Sequence, residues 1–178
     1  MITKVDAFSF LEAHQPMPAD EEITEDVIRK YEEVRTFFIN NPDEHCVPLF
    51  LNSFGGKDGL GTYQMVEDVL TMYDKKIVLP HILHAFNSSC EGVKYWSIQF
   101  ATNFPDERLL VPLAEFLQSE DQDIKAAAIT AIAQLALNHI KVHEVIKILK
   151  EEVMQISDKE TKDFAVEVLE DIQNSIQI

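Results

Sequence analysis

Apolar residues recur along this chain at intervals of three and four, the spacing of one face of an α-helix, whereas strand-like alternation is rare. The segment 24–40 carries one such stripe: Val27, Tyr31, Val34 and Phe38. Thr24 can cap this helix because its hydroxyl can accept a bond from a free backbone amide. Asn41, followed by Pro42 and by Glu44 three residues after the cap, predicts the start of a second helix. We therefore predict an all-α protein.

Two sets of positions repeat along the sequence. Prolines recur at a spacing of 32 residues, each within an apolar helical pattern where proline would bend the helix: Pro48, Pro80 and Pro112. A second set recurs at a spacing of 31, in which helices opened by Gly61, Gly92 and Asp123 each carry an apolar stripe. The three stripes are Val66, Leu70 and Tyr73; Ser97, Ala101 and Phe104; and Ala128, Ile132 and Leu135. The pattern predicts a repeated unit of a bent helix, a short turn and a second helix.

The repeated unit resembles a HEAT repeat. The segment 109–136 shows the features of that family, which are a proline in the first helix, an aspartate in the turn, an aliphatic–basic pair and a second helix of small residues: Pro112, Asp121, Ile124, Lys125 and Ala126 to Ala128. The segment 77–104 keeps the pair as Val93 and Lys94 but loses the aspartate. A weaker fourth copy follows at Lys162, Ala165, Val166, Leu169 and Ile172.

The resemblance implies a short right-handed α-α superhelix of the HEAT or armadillo type, in which stacked helix pairs bury one continuous core. We expect a single domain over residues 1–178. Residues 1–41 would form N-terminal capping helices, and residues 42–178 about four HEAT-like helix pairs.

The chain is strongly acidic, with 31 Asp and Glu against 15 Lys and Arg and a net charge of −16. Both ends share the excess, since residues 1–44 carry eleven acids and four bases and residues 151–178 carry eight acids and two bases. Such a balance disfavours nucleic acid and anionic membrane surfaces as partners and favours basic ones. Solvated helix faces and an acidic docking surface are both compatible with it.

Several features favour a cytoplasmic protein. Cys46 and Cys90 lie far apart without metal-binding spacing, as expected of free thiols in a reducing compartment. The first residues lack the pattern of a secretion signal, and no apolar run approaches the ~18 residues of a membrane span.

Candidate chemistry is sparse. His81 and His84, and His139 and His143 with Glu144, have spacings that can place two metal ligands on one helix face, but no third and fourth ligand match them. The serines and cysteines lack a nucleophile elbow or a Cys–His signature. We expect a protein that is not an enzyme and that uses no cofactor and no metal.

Four of the five glycines fall within residues 55–61, directly before a helical pattern, which raises the question of a phosphate-binding loop. The lysine of this stretch, Lys57, precedes Asp58 rather than Ser or Thr, and no strand pattern comes before the loop. The repeat instead places the stretch at the turn between two helices of one unit, where glycine supplies a positive-φ helix stop. We predict a long turn.

In HEAT-like stacks the second helices line the concave side, where partners usually bind. Residues 93–104 place aromatic, amide and hydroxyl groups opposite or beside the apolar stripe: Tyr95, Trp96, Gln99, Thr102 and Asn103. Aromatic residues suit the centre of an interface, although Trp96 could instead pack against the neighbouring repeat. Among the equivalent positions of the other repeats, Asp68 is acidic, and the last unit places Glu167, Glu170 and Asp171 on this side. This combination favours a basic protein ligand.

The small acidic HEAT-like chain is similar to immunity proteins of bacterial polymorphic toxins, which bind a cognate toxin domain and block its active site. Gly59, Gly61 and Tyr63 at the start of one helix add to that similarity. The resemblance implies a non-catalytic protein-binding module with an acidic and aromatic concave surface. Two alternatives remain, an adaptor or assembly factor and a HEAT-type lyase-like enzyme.

Overall fold

A computed structural model describes residues 2–176, and within that range the chain is helical with no β-strand. The all-α prediction is therefore confirmed. The residues divide into two compact units, Met1–Ser97 and Ile98–Ile178, and the boundary falls inside one helix. We call them the N-terminal unit and the C-terminal unit and describe each separately.

The N-terminal unit is built around aromatic side chains. Its helices are α1 (Lys4–Ala13), α2 (Glu25–Asn40), α3 (Cys46–Leu51), α4 (Glu67–Leu70), α5 (Lys75–Ala85) and the first part of α6 (Glu91–Ala101), with a 3-10 helix at Tyr63–Val66. Tyr31 of α2 is fully buried and meets the rings of Phe50 and Tyr63 edge-on, each at 5.9 Å between centroids. Its hydroxyl lies 2.8 Å from Ser53 Oγ, so the buried phenol is hydrogen-bonded.

Helix α2 forms where its apolar stripe predicts. The Thr24 hydroxyl accepts the Val27 amide, and Tyr31, Val34 and Phe38 are fully buried. The prediction for Asn41 is wrong. Its side-chain amide donates to the Phe37 carbonyl at the end of α2, and α3 begins five residues later without a side-chain cap.

The C-terminal unit is a set of packed helices centred on α8. It contains a 3-10 helix at Glu107–Leu109, α7 (Leu110–Phe116), α8 (Gln122–Leu137), α9 (Val142–Val153) and α10 (Lys159–Ile176). Helix α8 contacts the other three α-helices, and α10 also contacts α9. Close approach is possible because α8 buries small side chains: Ala127, Ala128, Ala131, Ala133 and Ala136.

The predicted apolar stripes lie largely in the core, with exceptions in the first and last copies. Ala128, Ile132 and Leu135 are buried in α8, and Ala165, Leu169 and Ile172 are buried in α10. In the first copy, however, the expected second helix is a 3-10 helix followed by the single turn of α4. Tyr73 there is partly exposed, and Val166 of the last copy is 37% exposed.

The three repeating prolines do not play the same role. Pro80 lies in the interior of α5, as predicted. Pro48 and Pro112 lie in the first turns of α3 and α7, where a helix tolerates proline best, and Pro112 also follows directly on the 3-10 helix Glu107–Leu109. The prediction of one bend repeated at all three prolines is wrong, because α3 and α7 begin later than the apolar pattern suggests.

Along residues 2–176, no helix combines the length and the apolar character needed to cross a bilayer.

Candidate protein-binding surface

Trp96 of α6 is fixed by residues of the segment that joins α3 to α4. Its indole N–H donates to the Lys57 carbonyl at 2.7 Å, and its ring lies 6.0 Å from Phe54 and 6.1 Å from Tyr63 between centroids. Tyr95 meets Trp96 edge-on at 5.5 Å, and both side chains are partly buried. The structure thus brings the two predicted aromatic residues together and packs Trp96 onto the glycine-rich turn.

The glycine-rich turn contains three consecutive residues in the left-handed region. Gly59, Leu60 and Gly61 have φ values of 59°, 53° and 85°. The predicted positive φ is therefore present, but these glycines do not stop a helix, because α3 already ends at Leu51. Leu60 at the tip is 58% exposed.

Acidic residues from before α2 hold this turn in place. The Asp20 carboxylate accepts the backbone amides of Gly59 and Leu60 at 3.3 and 3.5 Å. Lys57 forms an ion pair with Glu21, which raises the pKa of the lysine and lowers the pKa of the carboxyl. The amides that a phosphate loop would use are thus already bonded to a carboxylate of the same unit.

Helix α6 approaches the turn too closely for any side chain at Gly92. A Cβ at this position would lie 1.5 Å from the Gly55 carbonyl oxygen. Nearby, burial raises the pKa of Tyr63 to about 12. Tyr63 Oη and Ser97 Oγ are buried without a hydrogen-bond partner in the part of the chain that the structure describes.

Asp68, one of the predicted acidic residues, has a structural partner. Its carboxylate lies 3.1 Å from Arg35 of α2, whose guanidinium also pairs with Glu32 at 2.9 Å. The Arg35 side chain is 9% exposed and that of Asp68 is 67% exposed. Asp68 therefore neutralises a nearly buried cation and remains in reach of solvent.

The remaining α6 candidates belong to the C-terminal unit. Gln99 and Thr102 are partly buried, and the Thr102 hydroxyl donates to the Gln99 carbonyl at 2.6 Å. Asn103 follows the end of the helix and is exposed.

Glu167, Glu170 and Asp171 lie on α10, together with the exposed Glu160 and Asp163. At 3.6 residues per turn, these five carboxylates fall within an arc of about 100° that faces away from the buried Ala165 and Leu169. None of the five forms an ion pair with another part of residues 2–176. We call this set the acidic stripe.

Burial affects the protonation of one thiol and one imidazole. Cys46 and Cys90 are both free, and burial raises the pKa of the Cys46 thiol to about 12, so it stays protonated at neutral pH. Burial, with a contribution from His84, lowers the pKa of His81. Along the described chain, no three His, Cys, Asp or Glu side chains are grouped as a metal site would need.

Two features of the structure could not be predicted from the sequence. The residues that hold the glycine-rich turn, Asp20 and Glu21, lie 36 or more positions upstream, and no local pattern connects them. A groove of about 490 Å³ also lies between α7 and α9, with Val111 71% exposed in it. In the sequence, Val111 belongs to an apolar run, and such a run predicts buried residues.

The chain was also compared with known proteins. No protein-family model matches it, and no curated protein matches its sequence.

Proposed function

We propose that this chain is a non-catalytic protein-binding module that acts in the cytoplasm as an immunity protein, holding a basic toxin domain and blocking its active site. The proposal includes a HEAT-like stacking of the helix pairs. Packing of α8 against both α7 and α10 supports this stacking within the C-terminal unit. The two free thiols are consistent with a reducing compartment.

The acidic stripe carries the proposal. Each of its members has a like charge three or four residues away along the helix, and each such pair costs about 0.2–0.5 kcal/mol. A helix that keeps these unfavourable charges unpaired and exposed is well suited to receive a basic partner, which would relieve the repulsion.

The aromatic pair on α6 supports a protein partner rather than a simple cation. Tyr95 and Trp96 present partly exposed rings on a rigid support, because the indole is already fixed by the Lys57 carbonyl. Rigid aromatic side chains provide contact area with little loss of conformational entropy.

The test is co-expression with the toxin domain that the proposal expects to be encoded directly upstream. We expect this chain to protect the cell and to co-purify with the domain at ~0.1 M salt, with weaker association at ~0.5 M, because screening acts on exposed charges. Glu167→Lys with Glu170→Lys should slow association about tenfold or more. Thermal stability should change little or rise, since like-charge repulsion is removed.

The matched control is Glu12→Lys with Glu22→Lys, two exposed glutamates of the N-terminal unit that change the net charge equally. If both double variants slow association by the same factor, net charge rather than the acidic stripe is responsible. If the proteins that co-purify with this chain are instead neutral or acidic housekeeping proteins, the immunity function is refuted and an adaptor role takes its place.

A further inference from the structure

The groove between α7 and α9 has an apolar floor formed by both helices. Leu110, Val111 and Ala114 of α7 face Ile148 of α9 across it. Leu110 is buried in the core, whereas Val111 projects with 71% of its surface exposed. A β-branched apolar side chain left this open beside a groove of about 490 Å³ is costly to hydrate and gains by being covered.

Charged residues line the edges of the groove in a definite order. Glu144, Lys147 and Glu151 follow one another along α9, and Glu115 lies on the α7 side. Glu144 and Glu151 are two helical turns apart, about 10 Å along the axis. Along the groove, α9 therefore presents an acidic, a basic and a second acidic side chain in that order.

The existing ion pairs of these residues are weak. Glu144 pairs with Lys141 at 3.2 Å and Lys147 with Glu151 at 3.9 Å, and all four side chains are at least 41% exposed. Exposed pairs of this kind contribute about 0–1 kcal/mol, so a ligand charge can replace them at small cost. Glu115 is exposed and forms no ion pair along the described residues.

We propose that this groove binds an amphipathic α-helix of a partner protein, with two basic residues seven positions apart and an acidic residue between them. The apolar face of that helix covers Val111 and Ile148, its two basic residues meet Glu144 and Glu151, and its acidic residue meets Lys147. This is helix-in-groove recognition, in which anchors at i, i+3, i+4 and i+7 supply the affinity. The proposal goes beyond the acidic stripe, which shares no residue with the groove.

The probe is a labelled 15-residue peptide of Ala, Leu, Lys and one Glu, acetylated and amidated, with leucines on one face and the charges in the order just described. The control peptide has the same composition in an order that disperses the leucines. We expect micromolar binding by fluorescence anisotropy for the first peptide and binding at least about tenfold weaker for the second. The amide NMR signals of Val111, Ala114 and Ile148 should shift on titration.

Matched variants locate the site. Val111→Glu should weaken binding about tenfold, whereas Val5→Glu, at a valine 73% exposed in the N-terminal unit, should leave it unchanged. Glu151→Lys should weaken binding and flatten its salt dependence. Because Val111 is exposed, circular dichroism should show both valine variants folded.

Three outcomes would overturn the proposal. Equal binding of the two peptides would mean attraction to net charge alone. Unchanged binding to Val111→Glu would place the peptide elsewhere, for instance on the acidic stripe. A dimer that Val111→Glu dissolves would show that a second copy of this chain fills the groove. The double variant Glu167→Lys with Glu170→Lys leaves the groove intact. A failure of peptide binding in the groove can therefore be distinguished from a failure of the immunity function.

Discussion

The turn at residues 52–62 and the turn at residues 117–121 occupy the same place in the first and third copies of the predicted repeat but are stabilised in different ways. In the shorter turn, the Asp121 side chain accepts the amides of Asp123 and Ile124 and starts α8 by itself. In the longer turn, which contains three left-handed residues, the Asp20 carboxylate accepts the amides of Gly59 and Leu60 and the Trp96 indole donates to the Lys57 carbonyl. The short turn is thus a local structure, whereas the long turn depends on residues distant in sequence.

The largest difference between the two turns is expected at Gly92, which the long turn covers. Gly92→Ala should destabilise the protein by about 3 kcal/mol or more, because the new Cβ meets the Gly55 carbonyl at 1.5 Å and the backbone must move. Helix propensity alone would give the opposite sign, since Ala is favoured over Gly by about 1 kcal/mol in a helix. Urea unfolding monitored by circular dichroism measures the change.

Gly56→Ala is the control for this substitution. A Cβ at Gly56 meets no atom within 4 Å, so stability should stay equal or rise by up to about 1 kcal/mol. Equal changes in stability for Gly92→Ala and Gly56→Ala would show that the close approach of the turn to α6 does not limit the side chain at Gly92.

A smaller effect is expected at the local turn. Asp121→Ala should cost about 1 kcal/mol, because two amides at the start of α8 lose their acceptor. Asp123→Ala, in the first turn but outside the cap, should cost only a few tenths of a kcal/mol. Hydrogen exchange should accelerate at the start of α8 and stay unchanged at Gly59 and Leu60. Faster exchange at those two amides would mean that the turns are coupled.

The contrast also explains which parts of the molecule the sequence predicts. Helix α8 and its stripe follow from periodicity and from the Asp121 cap, which are properties of neighbouring residues. The long turn could be located from its glycines, but not its support by Asp20, because that contact joins residues 39 apart. For the same reason the partner of Asp68 was missed: Arg35 lies 33 residues away, and nothing in the local sequence marks it.

Of the candidate site, the acidic stripe was predictable and the groove was not. Glu167, Glu170 and Asp171 follow from helical periodicity around the buried Leu169. The groove depends on how α7 and α9 pack, and its exposed Val111 belongs to an apolar run that predicts a buried position. Periodicity identifies the face of one helix but not the space between two helices.

The smallest effect is expected at the left-handed Leu60 of the long turn, where a substitution should stabilise the protein. Leu60 adopts φ of 53° with its side chain 58% exposed, so the backbone is strained and little apolar contact compensates. Asn tolerates this region better than Leu because its short side chain can bond locally, and Leu60→Asn should stabilise the protein by about 0.5 kcal/mol. Leu137→Asn, at a leucine 37% exposed in the last turn of α8, should instead destabilise it by a similar amount. Thermal unfolding of the two variants measures the sign of each change in stability. A loss of stability for Leu60→Asn would mean that the Leu60 side chain makes contacts that outweigh the backbone strain.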